Sequence, residues 1–215
     1  MKTDLIFGNS PNKIYTILKK QIISGKYPAG KELKIQKISN EFKLSIVPVR
    51  EAFRMLASEE LIKLRTGKSP IIREISTNQI FEINKIRLAL EPLVLEDSIK
   101  YHTKNSLKTC LQIIEKDQAT SDPFKKADLN NQFHMTLLKP TKLKKTFNII
   151  SNQFEGITRF THSMVIEKEF RAKAAHIEHL NIIKAIQVKN NKEAIKLLTE
   201  HIEDSTNRIR SVLAR

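Results

Sequence analysis

Only one cysteine, Cys110, occurs in the 215 residues. No internal disulfide can form, and a zinc site would have to use ligands other than thiolates. Glycine (5) and proline (7) are scarce, which argues against many short strands joined by tight turns and for helices. No run of about 18 apolar residues is found, and the N-terminus lacks the apolar segment of a signal peptide. The expectation is a cytoplasmic chain with no membrane association. Acidic residues are also in short supply, 23 against 38 Lys and Arg, for a formal net charge of +15. A polyanion partner such as nucleic acid is expected from that imbalance. A hydrophobic content of 40% excludes a disordered chain.

The length suits one large or two modest domains, and the pattern along the chain favours two. Residues 1–9 read as a loose tail. Ile14, Ile17, Leu18 and Ile22 fall at helical spacing and Gly25 ends that run. Ile35, Ile38 and Phe42 mark a short second helix, and "SIVPVREAFRML" (45–56) a third, reaching about Glu59. "LIKL" (61–64) and "PIIREI" (70–75), separated by "RTGKS" (65–69), read as a β-hairpin with a basic tip. From Thr77 onward only helical patterns appear. One long helix should be kinked by Pro92, and another should start at Asp122 as cap with Pro123 in the first turn. Pro140 ends that pattern, and long helices are expected over roughly 142–165, 168–189 and 191–213. The predicted fold is mainly α: a winged helix-turn-helix over 1–76 with a small hairpin wing, then an all-α antiparallel bundle over 77–215.

In a winged helix-turn-helix the third helix enters the major groove. Val49, Ala52, Phe53 and Leu56 form its apolar stripe, which leaves Arg50 and Arg54 facing outward one turn apart. Arginine can bond bidentately to guanine or clamp a phosphate. Ser45 and Val47 at the helix entry, Lys34, and Lys68 in the wing complete the candidate DNA contacts. Residues 1–76 hold 15 Lys and Arg against 7 Asp and Glu, about half of the excess charge.

These residues carry a resemblance. "IISGKYPAGKEL" followed by "LSIVPVREAFRMLASEELI" resembles the GntR family of bacterial transcription regulators, at Ser45, Pro48, Val49, Arg50, Glu51, Ala52, Leu56, Leu61 and Ile62. Ile46 stands where the family usually has a DNA-contacting Arg, and Ser69 where its wing usually has Gly. "NKIRLALEPLVLE" (84–96), "NNQFHMTLL" (130–138) and "EHLNIIKAI" (178–186) resemble the FCD effector domain of the FadR-like subfamily. The resemblance implies a homodimeric regulator that binds a double-stranded DNA operator and responds to a small effector, an organic acid. It also implies a divalent metal ion, Zn or Ni, held by Asn130, His134, His179 and His201. Asn130 and His134 share a helical face, and antiparallel last helices could bring His179 and His201 to one level. Asn130 replaces the family's usual Asp. Arg87 could pair with the acid. His102, His162 and His176 lack motif support, although His176 lies one turn from His179. Two other readings remain: an architectural DNA-binding protein without an effector, and a metal-dependent enzyme. The enzyme is disfavoured because neither H-E-x-x-H nor E-x-x-H occurs.

Overall fold

The computed structural model describes residues 11–74, 76–167 and 175–213. The expected tail at 1–9 and the expected helical stretch 168–174 lie outside them. Two compact units divide the chain, Met1–Glu74 and Ile75–Arg215.

In the first unit, α1 (Pro11–Ile23), α2 (Ile35–Phe42) and α3 (Ile46–Ser58) precede an antiparallel hairpin of β1 (Ile62–Arg65) and β2 (Lys68–Ile72). Helix α3 packs on α1 and α2. Its Val49, Ala52, Phe53 and Leu56 join Ile14, Leu18, Leu33, Ile38, Ile62 and Ile72 in one core. The turn between α2 and α3 is made by Lys43 in the left-handed region, φ 53°. Ser39 Oγ donates to the Leu44 carbonyl there at 2.5 Å. The hairpin tip is tighter than the expected five residues, because Arg65 pairs with Lys68 across Thr66 and Gly67. Gly67 takes φ 68°, which glycine adopts without steric cost. Arg65 does not project from the tip: it donates to the Ser69 carbonyl at 2.6 and 2.8 Å and to Glu32 at 2.5 Å.

The second unit is helical: α4 (Thr77–Ser98), a 3₁₀ turn (Ile99–Tyr101), α5 (Lys104–Ala119), α6 (Pro123–Leu138), α7 (Lys144–Glu167), α8 (Ala175–Gln187) and α9 (Asn191–Leu213). A capping box starts α4: Ser76 Oγ accepts from the Gln79 N–H and Gln79 Oε1 accepts from the Ser76 N–H. Asp122 caps α6 by accepting from the Phe124 and Lys125 N–H groups. Helix α4 runs unbroken through Pro92 to Ser98. It packs on α7 and α9, α5 packs on α6 and α8, and α8 packs on α9. Leu95, Phe133, Leu137, Ile150, Ile182 and Leu198 lie in the shared core. Among the described residues no helix is long and apolar enough to cross a membrane.

Leu137 is completely buried, so Leu137→Ala should cost about 2–5 kcal/mol through lost contacts and the cavity left behind. Asp122→Ala, which removes only a cap, should cost about 1 kcal/mol. Urea unfolding of the two variants measures both, and equal losses would contradict this division between core and cap.

Candidate metal centre and nucleic-acid interface

Three helices of the second unit each contribute one buried histidine: His134 from α6, His179 from α8 and His201 from α9, with 0, 2 and 4% of their surface exposed. One nitrogen from each lies within 4.8 Å of the other two. Nε2 of His201 is 3.1 Å from Nε2 of His134 and 3.3 Å from Nε2 of His179. Their outer nitrogens are engaged elsewhere. His134 Nδ1 is 2.8 Å from Glu91 Oε2, and His201 Nδ1 is 2.5 Å from Glu178 Oε2. An ionised carboxylate only accepts hydrogen bonds, so both Nδ1 atoms carry the hydrogen, and a neutral ring then has a bare Nε2. Bare lone pairs about 3 Å apart repel. A single proton can bridge only one of the two contacts, whereas a cation between the rings satisfies all three. Tetrahedral Zn–N bonds of about 2.0–2.1 Å place ligand nitrogens roughly 3.3 Å apart, which is close to the spacings found. The buried triad could hold a metal ion, and its donor set suits one.

Helix α4 flanks the triad with polar residues. Arg87 Nε donates to Glu91 Oε1 at 2.5 Å, and both side chains are buried. Arg87 Nη2 is 3.4 Å from each ring nitrogen of His134, so it lies against the ring and not along either lone pair. Arg87 and Phe154 also stack, with the guanidinium carbon 4.8 Å from the ring centre. On the other side, Arg208 donates to Glu178 Oε1 at 3.2 Å. Asn84 shares a face of α4 with Arg87 and Glu91. It is 2% exposed, and its Nδ2 has no hydrogen-bond partner among the described residues.

The environment favours the neutral form of His134 and His179 and the charged form of Glu91 and Glu178. Burial drives the His134 imidazole down to about 4, and Arg87 adds to this against the opposing pull of Glu91. Burial, then His201 and His134, hold His179 well below the ordinary imidazole range. Burial raises the Glu91 carboxyl, but Arg87 and His134 outweigh it and bring the group to about 2. Glu178 behaves alike: burial opposes ionisation, and His201 and Arg208 overcome it to give about 2.

The sequence-predicted site residues thus fall into place unequally. His134, His179 and His201 meet. Arg87 is beside them but already paired with Glu91. Asn130 is half-buried one turn before His134, and its amide donates to Asn131 Oδ1 at 3.5 Å. His176 faces Asp117 at 3.8 Å and is not part of the triad. His102 lies 2.8 Å from the Leu137 carbonyl. The side chain of His162 lies outside the described residues. Glu91, Glu178, Arg208 and Asn84 were missed by sequence reasoning. Asn84, Glu91 and Glu178 all lie on segments that carry the FCD resemblance, and Glu178 immediately precedes a predicted ligand, His179.

In the first unit, Ser45 is the N-cap of α3 with its hydroxyl unused for capping. Val47 is 73% exposed, rare for a valine, on the first turn. Arg50 and Arg54 are exposed on the stripe opposite the core. Arg54 pairs with Glu51 at 3.1 Å in a solvated contact, whereas no ion pair to Arg50 occurs among the described residues. Lys34 is the exposed N-cap of α2. A lysine there faces the positive end of the helix dipole, an arrangement that a bound phosphate would relieve. Lys68 is exposed beside the hairpin turn.

Comparison with known proteins agrees with both units. Residues 11–72 match the family described as bacterial regulatory proteins, gntR family, and residues 82–204 match the FCD domain. The chain is 26% identical to the HTH-type transcriptional repressor RspR of Escherichia coli over 93% of this chain and 89% of that one. It is 25% identical to the gluconate operon transcriptional repressor of Bacillus subtilis, covering 89% and 82%. A transcriptional regulator GntR from Rhodococcus sp. RHA1 has the same fold, with a TM-score of 0.82 and 19% identity over 94% of this chain and 97% of that one. The matched families are transcription regulators and not enzymes. The chain belongs to the GntR family of bacterial regulatory proteins, in the FadR-like subfamily that carries an FCD effector domain.

Proposed function

We propose that this regulator is a cytoplasmic homodimer whose affinity for a double-stranded operator is set by a small organic acid. The acid binds in the helical unit beside a divalent ion, Zn or Ni. The observation that carries this reading is the convergence of one ring nitrogen from each of three buried histidines. His134, His179 and His201 would hold the ion, with Asn130 as a further candidate ligand. Neutral imidazoles suit Zn and Ni, and the bound ion would supply a Lewis-acidic centre with open positions for an oxygen ligand. Arg87 would add a charge-assisted contact to a carboxylate. Asn84 supports a ligand with acceptor oxygens, because a buried donor left unpaired costs about 1–3 kcal/mol. The repressor from Bacillus subtilis is named for an operon of gluconate, itself an organic acid.

On the DNA side, Arg50, Ser45 and Val47 would face base edges, and Lys34, Arg54 and Lys68 would contact phosphates. One recognition helix spans only a few base pairs, so two half-sites and two copies are needed. Light scattering at micromolar concentration should give the mass of a dimer, and a monomer with and without DNA would refute it.

Arg50→Ala should weaken operator binding by about 1–3 kcal/mol if the guanidinium reads a base. Lys68→Ala should lower affinity across all sequences and flatten the salt dependence. Gel shifts on operator and random duplexes at several salt concentrations separate the two. Unchanged operator affinity would remove Arg50 from the interface.

The depressed histidines fix a pH dependence. In the unfolded chain they take up protons near pH 6.5, but in the fold His134 does so only near 4 and His179 is lower than usual as well. The unfolded state therefore binds more protons below pH 6.5, so stability is lost as pH falls from about 6.5 toward 4. Glu91 and Glu178 remain charged through that window. Melting of metal-free protein should drop across this range, and Zn²⁺ or Ni²⁺ should raise it at pH 7.5 but not near pH 4. No rise at pH 7.5 with either metal, and under a tenth of an equivalent of metal in protein purified without tag or chelator, would refute the metal.

A further inference from the structure

This inference rests on the metal reading and goes further, to the residues that make the triad a cation site. Each of the two carboxylates beside it joins an arginine to a histidine of the triad. Glu91 takes Arg87 on one oxygen and His134 Nδ1 on the other. Glu178 accepts from Arg208 on Oε1 at 3.2 Å and more distantly on Oε2 at 3.5 Å, and Oε2 also faces His201 Nδ1. Two Arg–Glu–His relays, one from α4 to α6 and one between α8 and α9, end at the triad. Among the described residues no carboxylate contacts the ring nitrogens of His179. Its ring stacks on Phe133, with centroids 3.9 Å apart and planes at 18°.

We propose that Glu91 and Glu178 are positioning residues that lock His134 and His201 in the Nδ1–H tautomer. The Nε2 atom of each ring is thereby kept bare: the two lie 3.1 Å apart, and that of His201 is also 3.3 Å from Nε2 of His179. The tautomer of a histidine is set by the hydrogen bond its outer nitrogen makes, and carboxylates in this place orient metal-binding rings and raise their basicity. With the opposite tautomer, two N–H groups would point into a space about 3 Å across, and a cation would meet hydrogens in place of lone pairs. The relays differ in access. Arg87 and Glu91 are buried, whereas the side chains of Arg208 and Glu178 are about one third exposed. The Glu178 relay is therefore the one that substitution can probe without emptying the core. Among the described residues His179 is oriented by its stacking on Phe133.

The test uses the full-length protein labelled with ¹⁵N-histidine, metal-free at pH 7.5. Long-range ¹H–¹⁵N correlation spectra should show His134 and His201 as Nδ1–H. In Glu178→Leu, His201 should convert wholly or partly to Nε2–H while His134 keeps its form. Glu178→Gln, which retains an acceptor oxygen, should leave His201 unchanged. Chelator competition should give a Zn²⁺ affinity about 10–100-fold weaker for Glu178→Leu, with circular dichroism reporting the fold. Glu178→Ala repeats the measurement with a smaller side chain if leucine disturbs the packing of α8. Nδ1–H retained at His201 after loss of the acceptor, or Zn²⁺ affinity unchanged in a folded variant, overturns the proposal. A wild-type chain that takes up no Zn²⁺ defeats the metal reading alone, because the tautomer spectrum decides the role of Glu178 by itself.

Discussion

The helical unit depends on how three imidazoles can share one buried point. Their rings come from α6, α8 and α9, and the acids that orient two of them come from α4 and α8. Four helices are thereby referenced to a single position. Apolar packing around it is extensive but tolerant of direction, since aliphatic contacts are non-directional. The hydrogen bonds to Glu91 and Glu178 are directional, and buried polar networks of this kind rigidify a core when every member is satisfied. The rotation of each helix about its axis is constrained by the polar centre more sharply than by the surrounding leucines and isoleucines.

The DNA-reading unit is built on the opposite economy. The buried positions of α3 are entirely apolar, and its arginines are left outside. Helix α3 is short, 13 residues, and an isolated helix of that length is marginal. It persists because Val49, Ala52, Phe53 and Leu56 are buried against α1 and α2. The reading face can then vary freely. Ile46 and Val47 replace nothing the fold requires, so the operator preferred by this chain can differ from that of its relatives without a change of frame.

Much of this was legible in the sequence. The Asp122-Pro123 start of α6, the apolar stripe of α3 and the hairpin follow from local chemistry, where residues within a few positions decide the outcome. The meeting of His134, His179 and His201 was legible only through family motifs, since they are 22 to 67 positions apart. Glu91 was not legible. It stands four residues after Arg87, the spacing of an ordinary surface ion pair, on a helix with apolar residues on several faces. Periodicity could not tell that Asn84, Arg87 and Glu91 mark the inside. The capping box Ser76–Gln79 was readable in principle, since a serine followed three residues later by glutamine precedes the helical pattern that starts at Thr77. The hairpin tip was overestimated because "RTGKS" looks like a loop, whereas Gly67 permits a turn of two residues.

The two Arg–Glu pairs have an electrostatic consequence. Arg87 cancels Glu91, Arg208 cancels Glu178, and the three rings are uncharged when they serve as ligands. With the rings in that ligand form, these residues carry no net formal charge of their own. A divalent cation would bring two positive charges into a region largely shielded from water, with no ligand charge from position 130 to offset them. An anion entering after it lowers that excess, and the same free energy must act in reverse. In the proposed regulator metal and acid would thus be thermodynamically coupled, each held more tightly when the other is present. A chain with Asp at 130 would bring one of those neutralising charges itself and show a weaker coupling.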